Sequence, residues 1–121
     1  MNGFLQSFVF AWRGLRLAWM GRNFRVQIAF ALTTIMLGFL FGISVSEWIV
    51  VLIMMAMVLS AEIFNSTIEN LVNFVSPEFH PLAGKIKDLA AGAVLVIAII
   101  SVFVGLLIFV PYFLRLIDSH T

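Results

Sequence analysis

Three long apolar stretches dominate the pattern of hydrophobic and polar positions along the chain. They cover residues 26–44, 48–75 and 88–114, and each is close to or above the roughly 20 helical residues that cross about 30 Å of hydrocarbon. Polar residues interrupt the pattern at 44–47 and again at 76–78. The pattern predicts an all-α membrane protein with three transmembrane helices, formed by a single domain over residues 1–121.

A different pattern precedes the spans, over residues 2–20. Large apolar residues recur there at helical spacing on one face: Phe4, Phe8, Ala11, Trp12, Leu15 and Trp19. Polar residues fall elsewhere: Asn2, Gln6, Arg13 and Arg16. This predicts an amphipathic surface helix in the membrane interface, with Trp12, Trp19 and Arg25 as candidate lipid contacts. The alternative is a helix packed on the protein's own membrane domain, and both can hold at once.

Local signals indicate how the spans begin and how they pack. Asn23 is a candidate N-cap for the first span, and Ser76 followed by Pro77 favours the start of a short helix between the last two spans. Gly38 and Gly42 form a GxxxG motif, which permits close packing of helices. That motif is short and common, so little depends on it.

Composition and charge support the membrane assignment. Hydrophobic residues make up 63% of the chain and charged residues 11%, which is too apolar for a soluble domain of 121 residues. No acidic residue precedes Glu47, whereas four arginines lie in the first 25 residues: Arg13, Arg16, Arg22 and Arg25. Because these arginines lie beside Trp and Phe, lipid is the expected partner and nucleic acid is not. There is no cysteine, so a thiol nucleophile is excluded.

The distribution of Lys and Arg predicts the topology. With three spans, the N-terminal arginines lie on the same side of the membrane as Lys85 and Lys87, and Arg115 lies opposite. The positive-inside rule then places the N-terminus and the 76–88 segment in the cytoplasm. The 44–47 turn and the C-terminus are expected outside.

The second span carries a polar stripe. Glu62, Asn65, Glu69 and Asn73 fall within an arc of roughly 80° on one helix face. A carboxylate inside a membrane is costly unless it is paired, hydrated or bound to a cation, and Mg²⁺ with a polyphosphate would compensate two of them. The alternative is a polar seam between helices, or a helix emerging into water, and for Asn73 that alternative is favoured.

The segment after the second span carries the opposite charge. Lys85, Lys87 and Asp88 lie at the same predicted membrane level as Glu69, and an ammonium group is suited to phosphate. Lys85 is better explained as a positive-inside residue, and His80 as a locally bonded histidine. The chain has no GxxxxGK[ST] and no GxGxxG motif, so phosphoryl transfer would depend on residues of the membrane helices.

Three motifs resemble the small prokaryotic diacylglycerol kinase family, which includes the undecaprenol kinases. They are AEIFNSTIENLVN at 61–73, SPEFHPLA at 76–83 and KDLAAGAV at 87–94. The resemblance covers nearly the whole chain. The sequences HPLA at 80–83 and AAGA at 90–93 resemble the undecaprenol branch more than the diacylglycerol branch.

The resemblance implies an ATP- and Mg²⁺-dependent lipid kinase of the bacterial inner membrane. It implies transfer of the γ-phosphate to a primary hydroxyl of a membrane lipid alcohol, undecaprenol or diacylglycerol, by a homotrimer with shared active sites. It also implies residue roles: Glu62 as general base, Glu69 as Mg²⁺ ligand, and nucleotide contacts at Asn65, Lys87 and Asp88.

Two departures from the family pattern bear on that expectation. The family has a second metal-binding glutamate where this chain has Gly21, and residues 19–25 are one residue shorter than the pattern. The family aspartate that follows the polar stripe is Asn73 here. Gly21 favours one alternative, a member without catalysis that binds lipid or regulates. A second alternative, an unrelated small channel or transporter subunit lined by the Glu62 stripe, leaves Lys87 and Asp88 unexplained.

Overall fold

The computed structural model describes residues 2–121, which form four α-helices. These are α1 (Gly3–Trp19), α2 (Arg22–Phe41), α3 (Val45–Val75) and α4 (Pro81–Ser119). The last three are each long and apolar enough to cross a membrane. The predicted all-α fold with three candidate spans is therefore confirmed.

The helix starts differ from those that the sequence predicts. α2 begins at Arg22 with Gly21 as its N-cap, so Asn23 lies inside the helix and does not cap it. The last helix begins at Pro81 and extends beyond the predicted 88–114 span at both ends. Consequently Lys85 and Lys87 lie on a helix, not in a loop.

The start of α4 has a clear physical cause. His80 is extended, and its Nδ1 accepts a hydrogen bond of 3.1 Å from the backbone N–H of Leu82. A helix starting at Pro77 would need a helical His80 directly before Pro81, which the proline ring disfavours sterically. The short helix expected after Ser76 is therefore wrong, and His80 has the local role that its sequence context favours.

A tight turn with several hydrogen bonds joins α2 to α3. Gly42 ends α2 with a φ of 62°, a left-handed conformation that glycine adopts without strain, and Ile43 N–H donates to the carbonyl of Gly38 at 3.1 Å. Ser44 and Glu47 then form a capping box, in which each side chain accepts from the other residue's backbone N–H. Both helix ends at this turn are thus satisfied by hydrogen bonds.

Gly38 and Gly42 serve different purposes despite their GxxxG spacing. A Cβ atom on Gly38 would lie 2.6 Å and 2.7 Å from two ring carbons of Trp48. The indole of Trp48 therefore packs directly on the backbone of α2, with the ring of Phe39 at 4.9 Å between centroids. The close approach predicted from the motif occurs at Gly38, whereas Gly42 supplies the turn.

A polar contact joins α3 and α4 at the same end of the molecule as that turn. The hydroxyl of Tyr112 donates to Oε1 of Glu47, and the guanidinium carbon of Arg115 lies 4.7 Å from the centroid of the Tyr112 ring. Phe41 of α2 packs beside the same ring. All three spans therefore meet at this end.

Few side chains are buried within the chain. α3 packs most extensively on α4, less on α2, and α1 contacts α2 only lightly. The buried apolar residues are few: Phe24, Ala31, Ile43 and Val51. Many large apolar side chains point outward, as Phe30 and Met36 do, each with 71% of its surface exposed. Apolar surface of this extent requires lipid or further protein around it.

Candidate active site

Two polar residues of the predicted stripe are buried in α3. Glu62 is 5% exposed and Asn65 is 7% exposed, and within residues 2–121 they are the only polar side chains buried to this degree. They lie one turn apart on the face of α3 that carries the predicted polar stripe. A buried carboxylate in apolar surroundings needs a specific partner.

Gln27 of α2 supplies that partner. Its Nε2 donates a hydrogen bond of 3.3 Å to Oε2 of Glu62. The contact joins residues 35 positions apart and brings α2 into the site. The spacing of polar residues along α3 did not predict this contact, although one signal was present: Gln27 is a polar residue near the start of an otherwise apolar span.

Asn65 and Glu69 form the next part of the site. The Nδ2 of Asn65 donates to Oε1 of Glu69 at 3.3 Å, and Glu69 is exposed. The Oδ1 of Asn65 is buried and has no hydrogen bond partner. A buried amide oxygen without a donor is disfavoured, so this atom is suited to accept from a ligand, a water molecule or a cation.

Asn73 and Lys87 form the contact nearest to the α3–α4 connection. Lys87 Nζ donates to Oδ1 of Asn73, which links the last turns of α3 to the first turns of α4. Asn73 is therefore part of a polar seam between helices, as its sequence context favours. Lys85 and Asp88 are exposed on the same part of α4.

The predicted interfacial residues lie on exposed surfaces. Trp12 and Trp19 are 63% and 53% exposed, and both line an open groove along α1 of about 700 Å³ together with Arg13 and Arg16. Arg25 is exposed on the second turn of α2. These residues are accessible to lipid headgroups or to another protein surface.

The donor set fits a metal ion that arrives with a substrate. Nowhere in residues 2–121 are three His, Asp or Glu side chains grouped so that they could hold a metal. The carboxylate of Glu69 and the free oxygen of Asn65 are hard oxygen donors on one face, and Mg²⁺ commonly takes one or two carboxylates and fills its other positions with water and phosphate. Gly21, at the N-terminus of α2, adds no side-chain oxygen.

The sequence is similar to those of known proteins over most of its length. The sequence profile of the prokaryotic diacylglycerol kinase family matches residues 9–109. The chain is 42% identical over 112 residues to an undecaprenol kinase from Bacillus subtilis, covering 92% of this chain and 91% of the relative. It is 30% identical over 94 residues to a diacylglycerol kinase from Escherichia coli, covering 77% of each. A diacylglycerol kinase from Helicobacter pylori is 37% identical over 84 residues, covering 69% of this chain and 66% of the relative.

Proposed function

The chain belongs to the prokaryotic diacylglycerol kinase family and is a lipid kinase, and we propose that its substrate is undecaprenol, phosphorylated by ATP with Glu62 as the general base. The undecaprenol kinase from Bacillus subtilis matches almost the full length of both chains at 42% identity, which supports the polyprenol over diacylglycerol. The single structural observation that carries the proposal is the buried carboxylate of Glu62 with an amide donor beside it.

Glu62 is the proposed base because of its position and its surroundings. Phosphoryl transfer requires chiefly that the reacting groups be positioned and that the phosphate charge be neutralised, with a base to accept the hydroxyl proton. A polyprenol alcohol carries its hydroxyl at the membrane surface while its chain stays in the hydrocarbon. A carboxylate near the end of a membrane-spanning helix can therefore contact the hydroxyl while the lipid chain stays in the bilayer.

The nucleotide is proposed to bind where α3 ends and α4 begins. The ammonium of Lys87 lies there, held by the neutral amide of Asn73, so its charge remains available for phosphate. Asp88 lies one residue further along α4 and is proposed to support the nucleotide site. Asn65, with its free Oδ1, is proposed to orient phosphate or a cation.

Glu69 is proposed to hold Mg²⁺ together with the oxygen of Asn65. The ion would neutralise charge on the ATP phosphates when bound. With Gly21 offering no carboxylate, Glu69 is the main protein carboxylate proposed for the metal. We expect water to occupy the position that the family glutamate would fill, since Mg²⁺ readily keeps several waters.

The cellular setting follows from the same premise. We propose a multi-pass protein of the bacterial inner membrane with the site and the N-terminus in the cytoplasm, because arginines 13–25 and Lys85 and Lys87 share one side. The amphipathic pattern of α1 and its exposed Trp12 and Trp19 support a position in the interface. A homotrimer is proposed to cover the apolar outer faces of α2, α3 and α4.

The decisive experiment supplies radiolabelled ATP and Mg²⁺ to the purified protein in mixed micelles that contain either undecaprenol or diacylglycerol. The expected result is labelled polyprenyl phosphate, formed with a higher kcat/KM than phosphatidic acid. A preference for diacylglycerol would overturn the substrate proposal and leave the lipid kinase assignment intact. If no lipid is labelled at any Mg²⁺ concentration, Gly21 has removed activity and the non-catalytic alternative replaces the proposal.

A further inference from the structure

Gln27 lies on a seam of α2 that packs toward α3. Residues at intervals of three and four positions form this seam: Phe24, Gln27, Ala31, Thr34 and Gly38. Three of them are buried, and the two polar members, Gln27 and Thr34, are half-buried. Such a seam is ordinarily apolar, because polar groups placed between helices lose their contacts with water.

The two polar residues of the seam are satisfied to different degrees. The hydroxyl of Thr34 donates to the carbonyl of Phe30 in its own helix at 2.8 Å. Gln27 donates only to Glu62, and its own Oε1 is buried without a partner. A buried amide oxygen without a donor destabilises a packed seam, so the packing of the seam alone does not explain a glutamine at this position, and its bond to Glu62 is the feature left to explain it.

We propose that Gln27 is a positioning residue for the general base, an inference that rests on the proposed role of Glu62. Its N–H engages Oε2 of Glu62 and leaves Oε1 as the oxygen that faces the lipid hydroxyl. A carboxylate attached to a flexible side chain would otherwise rotate and tilt within the seam. The bond from α2 fixes its plane before the substrate arrives, which is the preorganisation that catalytic groups require.

The chemical step to which this applies is simple to balance. The lipid hydroxyl gives its proton to Oε1 of Glu62 while its oxygen forms a bond to the γ-phosphorus of ATP. The bond from that phosphorus to the bridging oxygen breaks, and ADP leaves with the electron pair. Gln27 neither gains nor loses a proton, because its N–H remains on Oε2 throughout.

The test replaces Gln27 with methionine, which has similar length and lacks the donor, and uses Thr34→Val as the matched control. Thr34 lies two turns along the same seam, is also half-buried, and bonds only its own helix. With undecaprenol as the acceptor lipid, we expect Gln27→Met to lower kcat about 10- to 100-fold, the effect of losing one hydrogen bond to a charged group. The KM values for ATP and for the lipid should stay within about twofold of the parent, since ground-state binding is unchanged.

Stability provides the readout that separates positioning from a structural role. Gln27→Met removes an unsatisfied amide oxygen from the seam, which favours stability, and also removes the partner of Glu62, which opposes it. Because these effects oppose each other, the midpoint of unfolding in detergent should stay close to that of the parent while kcat falls. If Gln27→Met does not yield folded protein, Gln27→Leu is measured in its place. A large fall in the unfolding midpoint together with kcat, in whichever of the two variants is measured, overturns the proposal.

A second variant background shows whether Gln27 acts through Glu62. In Glu62→Gln protein under single-turnover conditions, adding Gln27→Met should reduce the residual rate no further. If Gln27→Met lowers the rate in the Glu62→Gln background by the same factor as in the parent, Gln27 acts independently of Glu62. If Gln27→Met alone raises the KM for lipid and leaves kcat normal, Gln27 is a lipid-binding residue. Either result overturns the proposal. An inactive parent, or a fully active Glu62→Gln variant, would instead refute the proposed function itself.

Discussion

At the scale of single residues, the proposed site centres on the buried carboxylate of Glu62. We expect Glu62→Gln to lower kcat about 10²–10⁴-fold, the range typical for loss of a general base. The two side chains have nearly the same shape, so the helices should still pack and the protein should purify normally. Steady-state kinetics together with circular dichroism check this. Turnover within about threefold of the parent would show that another group accepts the proton.

The metal prediction concerns Gly21. Its backbone has a φ of −80°, which any residue adopts, and an added Cβ would lie 3.3 Å from the carbonyl of Ala18, a tight contact that a small shift relieves. We expect Gly21→Glu to lower the Mg²⁺ concentration required for half-maximal activity, because a carboxylate returns at the N-terminus of α2. Glu69→Gln should raise it.

The control is lipid preference: the ratio of kcat/KM for undecaprenol to that for diacylglycerol should be the same in Gly21→Glu and Glu69→Gln as in the parent. A version with one residue inserted in the 19–25 segment, together with the glutamate, tests whether chain length also matters. If the Mg²⁺ midpoint stays the same in the glutamate variant, in its insertion version and in Glu69→Gln, then Glu69 and the α1–α2 junction have no part in metal binding.

The nucleotide prediction concerns Lys87. We expect Lys87→Ala to raise the KM for ATP by about 10-fold or more, the effect of losing a charge-assisted hydrogen bond to phosphate, and to leave the KM for lipid unchanged. Lys85→Ala is the matched control, since Lys85 is exposed two residues earlier and should affect ATP little. Equal effects of the two substitutions would mean that only the general positive charge of this segment matters.

Residue spacing in the sequence was sufficient to predict that Glu62, Asn65 and Glu69 share one face of α3, because helical periodicity alone specifies this. The contact between Gln27 and Glu62 could not be predicted in this way. It joins two helices 35 positions apart and depends on how those helices pack, which periodicity within one helix does not specify. The role of Asn73 as partner of Lys87 was hidden for the same reason.

At the scale of helices, the three spans were predictable from hydropathy, whereas their starts were not. Two Pro residues compete to begin the last helix, at 77 and at 81. The sequence preference for Ser as an N-cap favours the first, but the steric effect of Pro81 on His80 excludes it. His80 takes the capping position although histidine is not a preferred capping residue, because Pro81 fixes where the helix starts.

The prediction at this scale concerns Gly38. An alanine there would force its Cβ against the indole of Trp48 at 2.6 Å, so we expect Gly38→Ala to lower the free energy of unfolding by about 1–3 kcal/mol. Gly105→Ala in α4 is the control, because its added Cβ would have no atom within 4 Å apart from the neighbouring residues and backbone of its own helix. Unfolding midpoints in detergent measure both. A Gly38→Ala protein as stable as the control would show that Trp48 moves aside without loss.

At the scale of the whole molecule, the chain has too few buried residues to be complete by itself. Only four apolar residues are buried within residues 2–121, none of them completely, and the apolar faces of three helices point outward. We expect the purified protein to form a trimer in mild detergent, with a protein mass three times the 13.5 kDa of one chain. Light scattering coupled to size exclusion measures this mass independently of bound detergent. A mass of one chain at all detergent concentrations would contradict the trimer.

The hydrogen-bonded turn between α2 and α3 bears on the geometry of the site at the other end of α2. The distance along α2 from Gly42 to Gln27 is about 22 Å at a rise of about 1.5 Å per residue. A tilt of α2 by only about 2.5° about that turn displaces the amide of Gln27 by about 1 Å, given this distance. The bond to Glu62 is already 3.3 Å long and cannot absorb such a displacement. The alignment of the carboxylate therefore depends on the left-handed glycine and the capping box at the other end of α2 as well as on the residues that lie beside it.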